Sequence, residues 1–149
     1  MQKESLGKYI AAIHRNAQSI MNSKLADIDI KHGQHDFFYF ISRNEGISQK
    51  ELSSALFIGK STTAKAVKNL INSGYITREQ DEKDRRYNRL FLTEKGKQII
   101  PKINSTFTEL LNIYLKDLSE YEYEQTLQVL KKILNCIHKE RDKLNSDVE

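Results

Sequence analysis

Two short helices separated by a three-residue turn constrain the fold of this chain more than any other feature. Ser48 and Glu51 form a capping box, which predicts a helix that begins at Ser48. Ile47 is placed to pack on Leu52 across the first turn, and the helix is predicted to end near Phe57. This segment forms the first half of a candidate helix-turn-helix.

The second helix of the pair follows the turn Ile58-Gly59-Lys60. It runs from Ser61 to Ser73, with the sequence STTAKAVKNLINS, and Gly74 is suited to end it as a C-terminal cap. Two short helices joined by so short a turn have the arrangement of a helix-turn-helix.

A β-hairpin is predicted directly after this pair. Its strands are YITREQ, where Ile76 alternates with polar Thr77, and NRLFL, where two leucines flank Phe91. The loop Asp81–Tyr87 joins them. A hairpin in this position is the wing of a winged helix. The predicted fold class is therefore mainly α with a small β-hairpin wing (α+β), a winged helix-turn-helix.

Longer helices are predicted on both sides of the winged helix. Apolar residues at spacings of three and four predict a first helix from Leu6 to about Leu25. A second helix, QHDFFYFISRNE, is predicted to end at Gly46. After the hairpin, Thr93 is placed to cap a long helix, in which Pro101 is expected to produce a kink.

The last helix is predicted to begin at another capping box, formed by Ser119 and Glu122. Its apolar stripe is wide, which on a terminal helix indicates more than one packing partner. The tail Asp142–Glu149 is expected to be frayed.

Length and composition exclude several classes of protein. The 149 residues fit one compact domain, and no run of about 18 apolar residues predicts a membrane span. The N-terminus lacks the pattern of a signal peptide. Cys136 is the only cysteine, which excludes an internal disulfide framework and fits a cytoplasmic location.

The net charge of +4 is unevenly distributed along the chain. Between Lys60 and Arg89 there are eight basic and four acidic residues, so the rest of the chain sums to zero. A positive excess confined to one window is expected where a protein meets a polyanion such as double-stranded DNA. A solvated basic surface is the alternative interpretation.

The outward face of the second helix of the pair is suited to a DNA major groove. The residues predicted to face the core are Thr63, Ala64, Val67, Leu70 and Ile71. The opposite face is rich in donors and has no carboxylate, whereas an ordinary polar surface would usually include Glu or Asp. Short side chains permit close approach, Asn can read adenine edges, and Lys can bind phosphate or guanine. The predicted DNA-binding residues are Lys60, Ser61, Thr62, Lys65, Lys68 and Asn69, with Ser48 and Gln49 as weaker candidates at the start of the helix-turn-helix.

The loop of the hairpin carries an arginine pair at its tip, Arg85 and Arg86. Narrow A·T-rich minor grooves attract arginine, so both side chains are predicted to reach a minor groove. Asp84 is predicted to hold one of them in an extended conformation through a charge-assisted hydrogen bond.

Taken together, these segments resemble the core of the MarR-type bacterial regulators, over SQKELSSALFIGKSTTAKAVKNLINSGYITREQDEKDRRYNRLFLTEKG. The wing signature of that family, Asp-x-Arg followed at a distance by Leu-Thr, occurs as Asp84-x-Arg86 and Leu92-Thr93. The helix order on both sides agrees, so the resemblance covers nearly the whole chain. Two positions depart from the family pattern. Ser53 stands where alanine is common, and Gly59 stands where serine often caps the recognition helix, which predicts a weaker cap.

The resemblance implies a homodimer whose terminal helices interlock while two winged helices straddle a palindrome. It implies a dimerisation helix and connector at residues 1–33, the winged helix-turn-helix at residues 34–95, and dimerisation helices at residues 96–149. It also implies that an effector, often a small phenolic or lipophilic compound or an oxidant, weakens DNA binding by changing the spacing of the two heads. The wing role falls to Asp84 and Arg86, and the groove-reading role to Ser61, Thr62, Lys65 and Asn69.

Two further groups of residues suggest metal or redox sensing, and both have simpler explanations. His32 and His35, with Asp36 beside them, could supply metal ligands, but a matching third and fourth ligand is missing, so no metal site is predicted. Cys136 lies between Ile133 and Ile137 on an apolar stripe, where thiols are usually buried and inert.

Four consecutive aromatic residues, from Phe37 to Phe40, cannot all face one core when they lie on a helix. Some of them are candidates to line an effector pocket, and packing in the core or in a dimer interface is the alternative for each. The residues assigned to this pocket are Tyr9, His14, Phe38, Tyr39 and Tyr114.

No catalytic motif is present in the sequence: it lacks a P-loop, a Rossmann glycine pattern and a nucleophile elbow. No enzyme activity and no cofactor are therefore expected. The predicted function is a DNA-binding transcriptional regulator, most simply a repressor. Two alternatives stay open at this point, namely a winged helix that docks an acidic protein partner and a regulator that responds to no ligand.

Overall fold

Each predicted helix and strand occurs close to its predicted bounds. The computed structural model describes residues 3–146, and the elements in that range are α1 (Leu6–Lys24), α2 (His35–Arg43), α3 (Gln49–Ala55), α4 (Lys60–Asn72), β1 (Ile76–Gln80), β2 (Asn88–Leu92), α5 (Glu94–Leu115) and α6 (Glu120–Ser146). The predicted fold class, mainly α with a small β-hairpin, is confirmed.

The helix-turn-helix comprises α3 and α4, and local capping sets its limits. The Ser48 hydroxyl oxygen accepts a hydrogen bond from the Glu51 backbone N–H at 3.0 Å, which starts α3 as predicted. Gly59 precedes α4 and provides no side-chain cap, in line with the predicted weak cap. At the other end, Gly74 adopts a φ of +82° and donates to the Ile71 carbonyl at 2.9 Å, a geometry that glycine adopts without strain.

The hairpin pairs β1 with β2 in antiparallel register, from Ile76 opposite Leu92 to Gln80 opposite Asn88. The free edge of β2 is covered by the segment that precedes α3. There the Gly46 N–H donates to the Leu90 carbonyl at 2.8 Å. The sheet is thereby joined to the start of the helix-turn-helix.

The core of the winged helix lies between α2, α3, α4 and the hairpin. Its most deeply buried side chains, all under 2% exposed, include Phe38, Ile41, Leu52, Val67, Leu70 and Leu90. Because α4 supplies two of these residues, its packing into the core fixes which of its faces points outward.

The predicted inward face of α4 needs one correction. The structure buries Ala66 completely and leaves Ala64 and Ile71 partly exposed. The buried arc is centred on Thr63 and Leu70, and at about 100° per residue Ala66 lies inside it while Ala64 and Ile71 lie at its border. The face predicted from the sequence was therefore rotated by roughly 50° about the helix axis, toward the apolar Ile71.

A hydrogen-bonded clasp joins the end of α4 to the start of α5. The Thr93 hydroxyl donates to the Gly74 carbonyl at 2.5 Å and accepts from the Gly96 N–H at 3.0 Å. The Thr93 N–H donates to the Tyr75 carbonyl at 3.1 Å. Thr93 thus caps α5, as predicted, and also anchors the chain that leaves α4.

The chain divides into two compact units after Leu110. The first holds α1 to β2 and most of α5, which stays helical through Pro101, so a kink there remains a prediction. In the second unit, Ser119 and Glu122 form the predicted reciprocal capping box, with both hydrogen bonds at 3.1 Å. The Ser119 N–H holds the pKa of Glu122 below its usual value.

The last helix extends further than predicted. α6 continues to Ser146, so the expected fraying is wrong for Asp142–Ser146, and the final three residues lie outside the described range. A continuous helix with an acidic first turn and Lys143 in its last turn is favoured by the helix dipole. Within residues 3–146, no helix is long and apolar enough to cross a membrane.

Candidate nucleic-acid interface

The outward face of α4 presents polar and basic side chains to solvent. Ser61, Thr62, Lys65 and Lys68 are all exposed, as the sequence predicts. From Lys60 to Asn72 the helix carries no carboxylate. Asn69 is placed differently, because it is half-buried and its amide nitrogen donates to the Gln34 side chain at 3.2 Å. With Lys60, which is also exposed, five of the six DNA-binding residues predicted on this helix are exposed, whereas Asn69 lies at the edge of the surface.

A cleft of about 260 Å³ brings together residues from three predicted parts of the interface. They come from the start of α3, the start of α4 and the wing. The residues that line the cleft are Ser48, Gln49, Lys50, Ser53, Lys60, Arg86, Tyr87 and Asn88. Three of them are basic and none is acidic, so the cleft favours an anionic ligand such as a phosphate backbone.

The two weaker candidates at the start of α3 are largely committed to other contacts. Ser48 is 2% exposed, and its hydroxyl oxygen accepts the capping hydrogen bond. The Gln49 side chain accepts a hydrogen bond from Arg78 at 3.3 Å. Lys50 is exposed beside them and was not predicted. Its place in the first turn of α3, two residues after the cap, is the signal that could have identified it.

In the wing, Asp84 and Arg86 form the predicted charge-assisted pair. Arg86 donates from Nε to Asp84 Oδ1 at 3.0 Å and from Nη2 to Asp84 Oδ2 at 2.9 Å, which is a two-point charge-assisted pair. These bonds hold the pKa of Asp84 below its usual value. The Arg86 side chain is still 85% exposed. Arg85 is also exposed, and its backbone carbonyl accepts from the Gln80 side chain at 2.7 Å.

Arg89, at the base of the wing, has a structural role that sequence reasoning missed. It was counted only as one of the basic residues of the charged window. In the structure its guanidinium binds Asp81 and the Gly46 carbonyl. An acid directly after the first strand and a base at the start of the second, on the two sides of one hairpin loop, are the signal that could have revealed the pair.

The histidine pair does not form a ligand cluster. His32 is exposed, whereas His35 is 2% exposed and neither of its ring nitrogens has a hydrogen-bond partner among the described residues. Burial, and secondarily the nearby His32, lower the pKa of His35. In the part of the chain that the structure describes, no three His, Cys, Asp or Glu side chains are grouped as metal ligands.

Burial of His35 predicts that the protein loses stability in mild acid. Its pKa is lowered from 6.5 on folding, so the unfolded chain takes up a proton first as the pH falls. The free energy of unfolding should therefore fall as the pH drops from about 7.5 through the unfolded-chain pKa of 6.5, and continue to fall until the pH reaches the lowered pKa of the folded state. Urea titrations at one protein concentration would measure it, with His35→Leu as the comparison. The nearby Asp36 has a pKa raised by burial and acts in the opposite direction, but it is common to both proteins. An equal fall in the two proteins would contradict the assignment.

The residues assigned to an effector pocket lie in different surroundings. Phe38 is fully buried and meets Tyr75 edge to face, with ring centroids 6.1 Å apart, so it packs in the core as the alternative interpretation predicted. Tyr39 stacks on Phe107 at 4.0 Å. Tyr9 and His14 are exposed on α1, and Tyr114 is exposed in the second unit.

The expectation that Cys136 is buried is wrong. The thiol is exposed on α6, as are Leu134 and Ile137 of the same apolar stripe. The stripe is present as predicted, and in the described part of the chain most of its side chains are exposed. The sequence pattern identifies an apolar face and does not say whether that face is covered within a single protomer.

Comparison with known proteins agrees with this geometry. A sequence profile of the MarR family matches residues 28–86. YybA, an HTH-type transcriptional regulator of Bacillus subtilis, is 31% identical over 89% of this chain and 87% of its own length. A MarR transcriptional regulator from Methanosarcina mazei has 36% identity and a TM-score of 0.77, covering 91% of this chain and 98% of that one. A MarR-family regulator from Listeria monocytogenes, solved in complex with a 26-mer DNA, has 28% identity and a TM-score of 0.88, covering 97% and 96%. The chain therefore belongs to the MarR family, a family of transcriptional regulators and not of enzymes.

Proposed function

We propose that this protein is a repressor that binds a palindromic operator as a homodimer and is released by a small-molecule effector. One observation carries the proposal: the basic cleft in which Lys50, Lys60 and Arg86 meet, beside a recognition face without carboxylates. Lys65 and Lys68 continue the positive surface along α4. The relative from Listeria monocytogenes, of similar fold, was solved with DNA, which supports the same partner here.

The recognition helix supplies groove contacts and the wing supplies a second anchor. Ser61 and Thr62 stand at the N-terminal end of α4, where short side chains allow close approach to base edges. In this proposal Lys65 and Lys68 neutralise phosphates, and Arg86 enters the adjacent minor groove. Affinity then comes mainly from phosphate contacts, and specificity from the recognition face and the wing.

Dimerisation is supported by exposed apolar side chains on the terminal helices. On α1, Leu6 and Ile13 are 58% and 55% exposed. On α6, Ile137 and Leu144 are 64% and 67% exposed. Apolar faces of this kind favour association with another surface, and a second copy of the chain provides a matching one. A two-fold dimer predicts an inverted-repeat operator with half-sites about 10 bp apart.

Effector release is proposed from the family resemblance and from ring-bearing side chains on α1 and α2. His14 on α1 is near enough to Asp36 on α2 to oppose the rise that burial produces in the pKa of that carboxyl. Tyr39 on α2 stacks on Phe107 of α5, with ring centroids 4.0 Å apart. A cytoplasmic location, where an operator is accessible, follows from the proposed DNA partner.

The test is a fluorescence-anisotropy titration of the full chain with the DNA upstream of its own gene. We expect binding that survives random competitor DNA and weakens steeply with salt, with a log–log slope of about −0.9 for each phosphate neutralised. Equal weak binding to both DNAs would contradict sequence-specific recognition of that operator. Absence of binding at low salt would overturn the DNA proposal and favour an acidic protein partner for the basic cleft.

A further inference from the structure

Arg89 connects three parts of the winged helix through a single side chain. From β2, its Nε and Nη2 both lie 2.8 Å from Asp81 Oδ2, at the far end of β1. Its Nη1 donates to the Gly46 carbonyl at 2.9 Å, in the turn before α3. The Asp81 carboxylate also accepts from the Lys83 N–H at 2.9 Å, which closes the first turn of the wing loop.

Backbone hydrogen bonds reinforce the same junction. The Gly46 N–H donates to the Leu90 carbonyl at 2.8 Å, and the Leu90 N–H donates to the Ile47 carbonyl at 2.9 Å. The Glu45 carboxylate accepts from the Leu92 N–H at 2.8 Å. Residues 45–48 therefore run along the edge of β2 and continue directly into α3. Movement of the wing relative to the helix-turn-helix would have to break this set of bonds.

Arg86 and Arg89 differ in how accessible their guanidinium groups are to a ligand. The Arg86 side chain is 85% exposed and lines the basic cleft. The Arg89 side chain is 38% exposed and its partner Asp81 is 15% exposed. Two of the Arg89 nitrogens already donate hydrogen bonds within the protein, and the third lies in the ion pair with Asp81. Arg89 is therefore built to hold the protein's own structure together, whereas Arg86 is presented to a ligand.

We propose that the Asp81–Arg89 pair is a positioning device that sets the wing at the correct angle to the recognition helix, so that DNA affinity depends on it although neither residue contacts DNA. The inference rests on the proposed DNA-binding function. Two anchors that engage two grooves at once bind tightly only if their separation is fixed before binding. The pair restricts that separation by joining the base of the wing to the turn that begins α3.

A positioning role for Asp81 predicts that neutralising this acidic residue weakens DNA binding, which is the opposite of what its charge alone would produce. If Asp81 acted only through its charge, Asp81→Asn would remove a repulsive group and strengthen DNA binding. If Arg89 were itself a phosphate contact, the same substitution would release it and again strengthen binding. Only a positioning role predicts that Asp81→Asn weakens binding.

The experiment compares Asp81→Asn with Glu82→Gln by anisotropy titration on the same operator DNA. Glu82 is the adjacent residue, is exposed and carries the same charge, so its substitution measures the electrostatic effect alone. We expect Asp81→Asn to bind roughly threefold to tenfold more weakly, and Glu82→Gln to bind equally or more tightly. The salt slope of Asp81→Asn should be unchanged, because loss of a phosphate contact would alter it by about 0.9.

A double-mutant cycle separates positioning from general loss of structure. Arg89→Gln alone should weaken binding about as much as Asp81→Asn, and the double variant should be no weaker than either one. Hydrogen exchange at the Gly46 and Leu90 amides should become faster in all three variants, while thermal unfolding followed by circular dichroism stays cooperative. Additive losses would overturn the proposal.

The DNA-binding results would differ depending on whether the positioning role of the Asp81–Arg89 pair or the DNA-binding function itself is wrong. If the unaltered protein binds the operator and Asp81→Asn binds more tightly, as Glu82→Gln does, the positioning role is wrong and the DNA-binding function stands. If the unaltered protein binds no DNA at low salt, both are overturned.

Discussion

Gly96→Ala is expected to lower the free energy of unfolding by about 1–3 kcal/mol, the usual effect of overpacking. A Cβ at this position would collide with the Tyr75 carbonyl oxygen and lie 3.2 Å from the Tyr75 carbonyl carbon. Neither atom can move freely, because the Tyr75 carbonyl accepts the Thr93 N–H at the junction of α4 and α5. The substitution should therefore loosen the clasp that anchors the recognition helix. Urea titration at one protein concentration measures the loss.

Gly7→Ala is the matched control, since Gly7 also lies in the first turn of a helix. No atom comes within 4 Å of a Cβ built there. Alanine is the better helix former, so this variant should be unchanged or more stable by up to about 1 kcal/mol. Equal destabilisation of the two variants would mean that the effect at Gly96 does not come from contact with Tyr75.

The contrast between these two glycines illustrates which parts of the fold can be predicted from the sequence. The cap at Ser48, the end of α4 at Gly74 and the hairpin are set by contacts between residues close in the chain, and all were predicted. The requirement for glycine at Gly96 depends on a carbonyl 21 positions earlier in the chain, that of Tyr75. Periodicity and capping rules carry no information about such a contact.

The candidate interface also contains some residues that local sequence rules predict and others that they do not. The exposed face of α4 and the Asp84–Arg86 pair follow from helical spacing and from residues two apart, so both were predicted. Lys50 joins the cleft only because α3 and the wing are brought together, and Arg89 binds a carbonyl 43 residues away. Asn69 contacts Gln34 of the preceding connector. These contacts depend on tertiary packing, which local sequence rules do not encode.

The burial of side chains was the least predictable property. His35 belongs to a residue type that is intermediate in its burial, yet it is almost completely buried. Cys136 belongs to a type that is usually buried, yet it is exposed. The apolar stripe of α6 was predicted correctly. Such a pattern identifies an apolar face, but it does not indicate which chain packs against that face. We propose that a second copy of the chain covers the exposed apolar faces of the terminal helices.

Arg86→Ala is expected to weaken binding to operator DNA by about 1–3 kcal/mol, or roughly 5-fold to 150-fold. Asp84 already orients the guanidinium through two hydrogen bonds, so little conformational entropy is lost when it enters a groove. Arg86→Lys should not restore affinity, because an ammonium group cannot make the two-point contact with Asp84 that holds the side chain in place. Anisotropy titrations over a range of salt concentrations would measure both variants.

Lys83→Ala provides the control for charge, because it removes one exposed basic residue from the same wing loop. If the wing acted only as a positive patch, Lys83→Ala and Arg86→Ala would weaken binding equally, and Arg86→Lys would bind like the unaltered protein. A larger loss for Arg86→Ala, without rescue by lysine, requires a specific guanidinium contact. Thermal unfolding should not change in any of the three, since the Arg86 side chain is 85% exposed and Lys83 is exposed. Unchanged affinity of Arg86→Ala would remove the wing from DNA recognition and leave α4 as the only anchor.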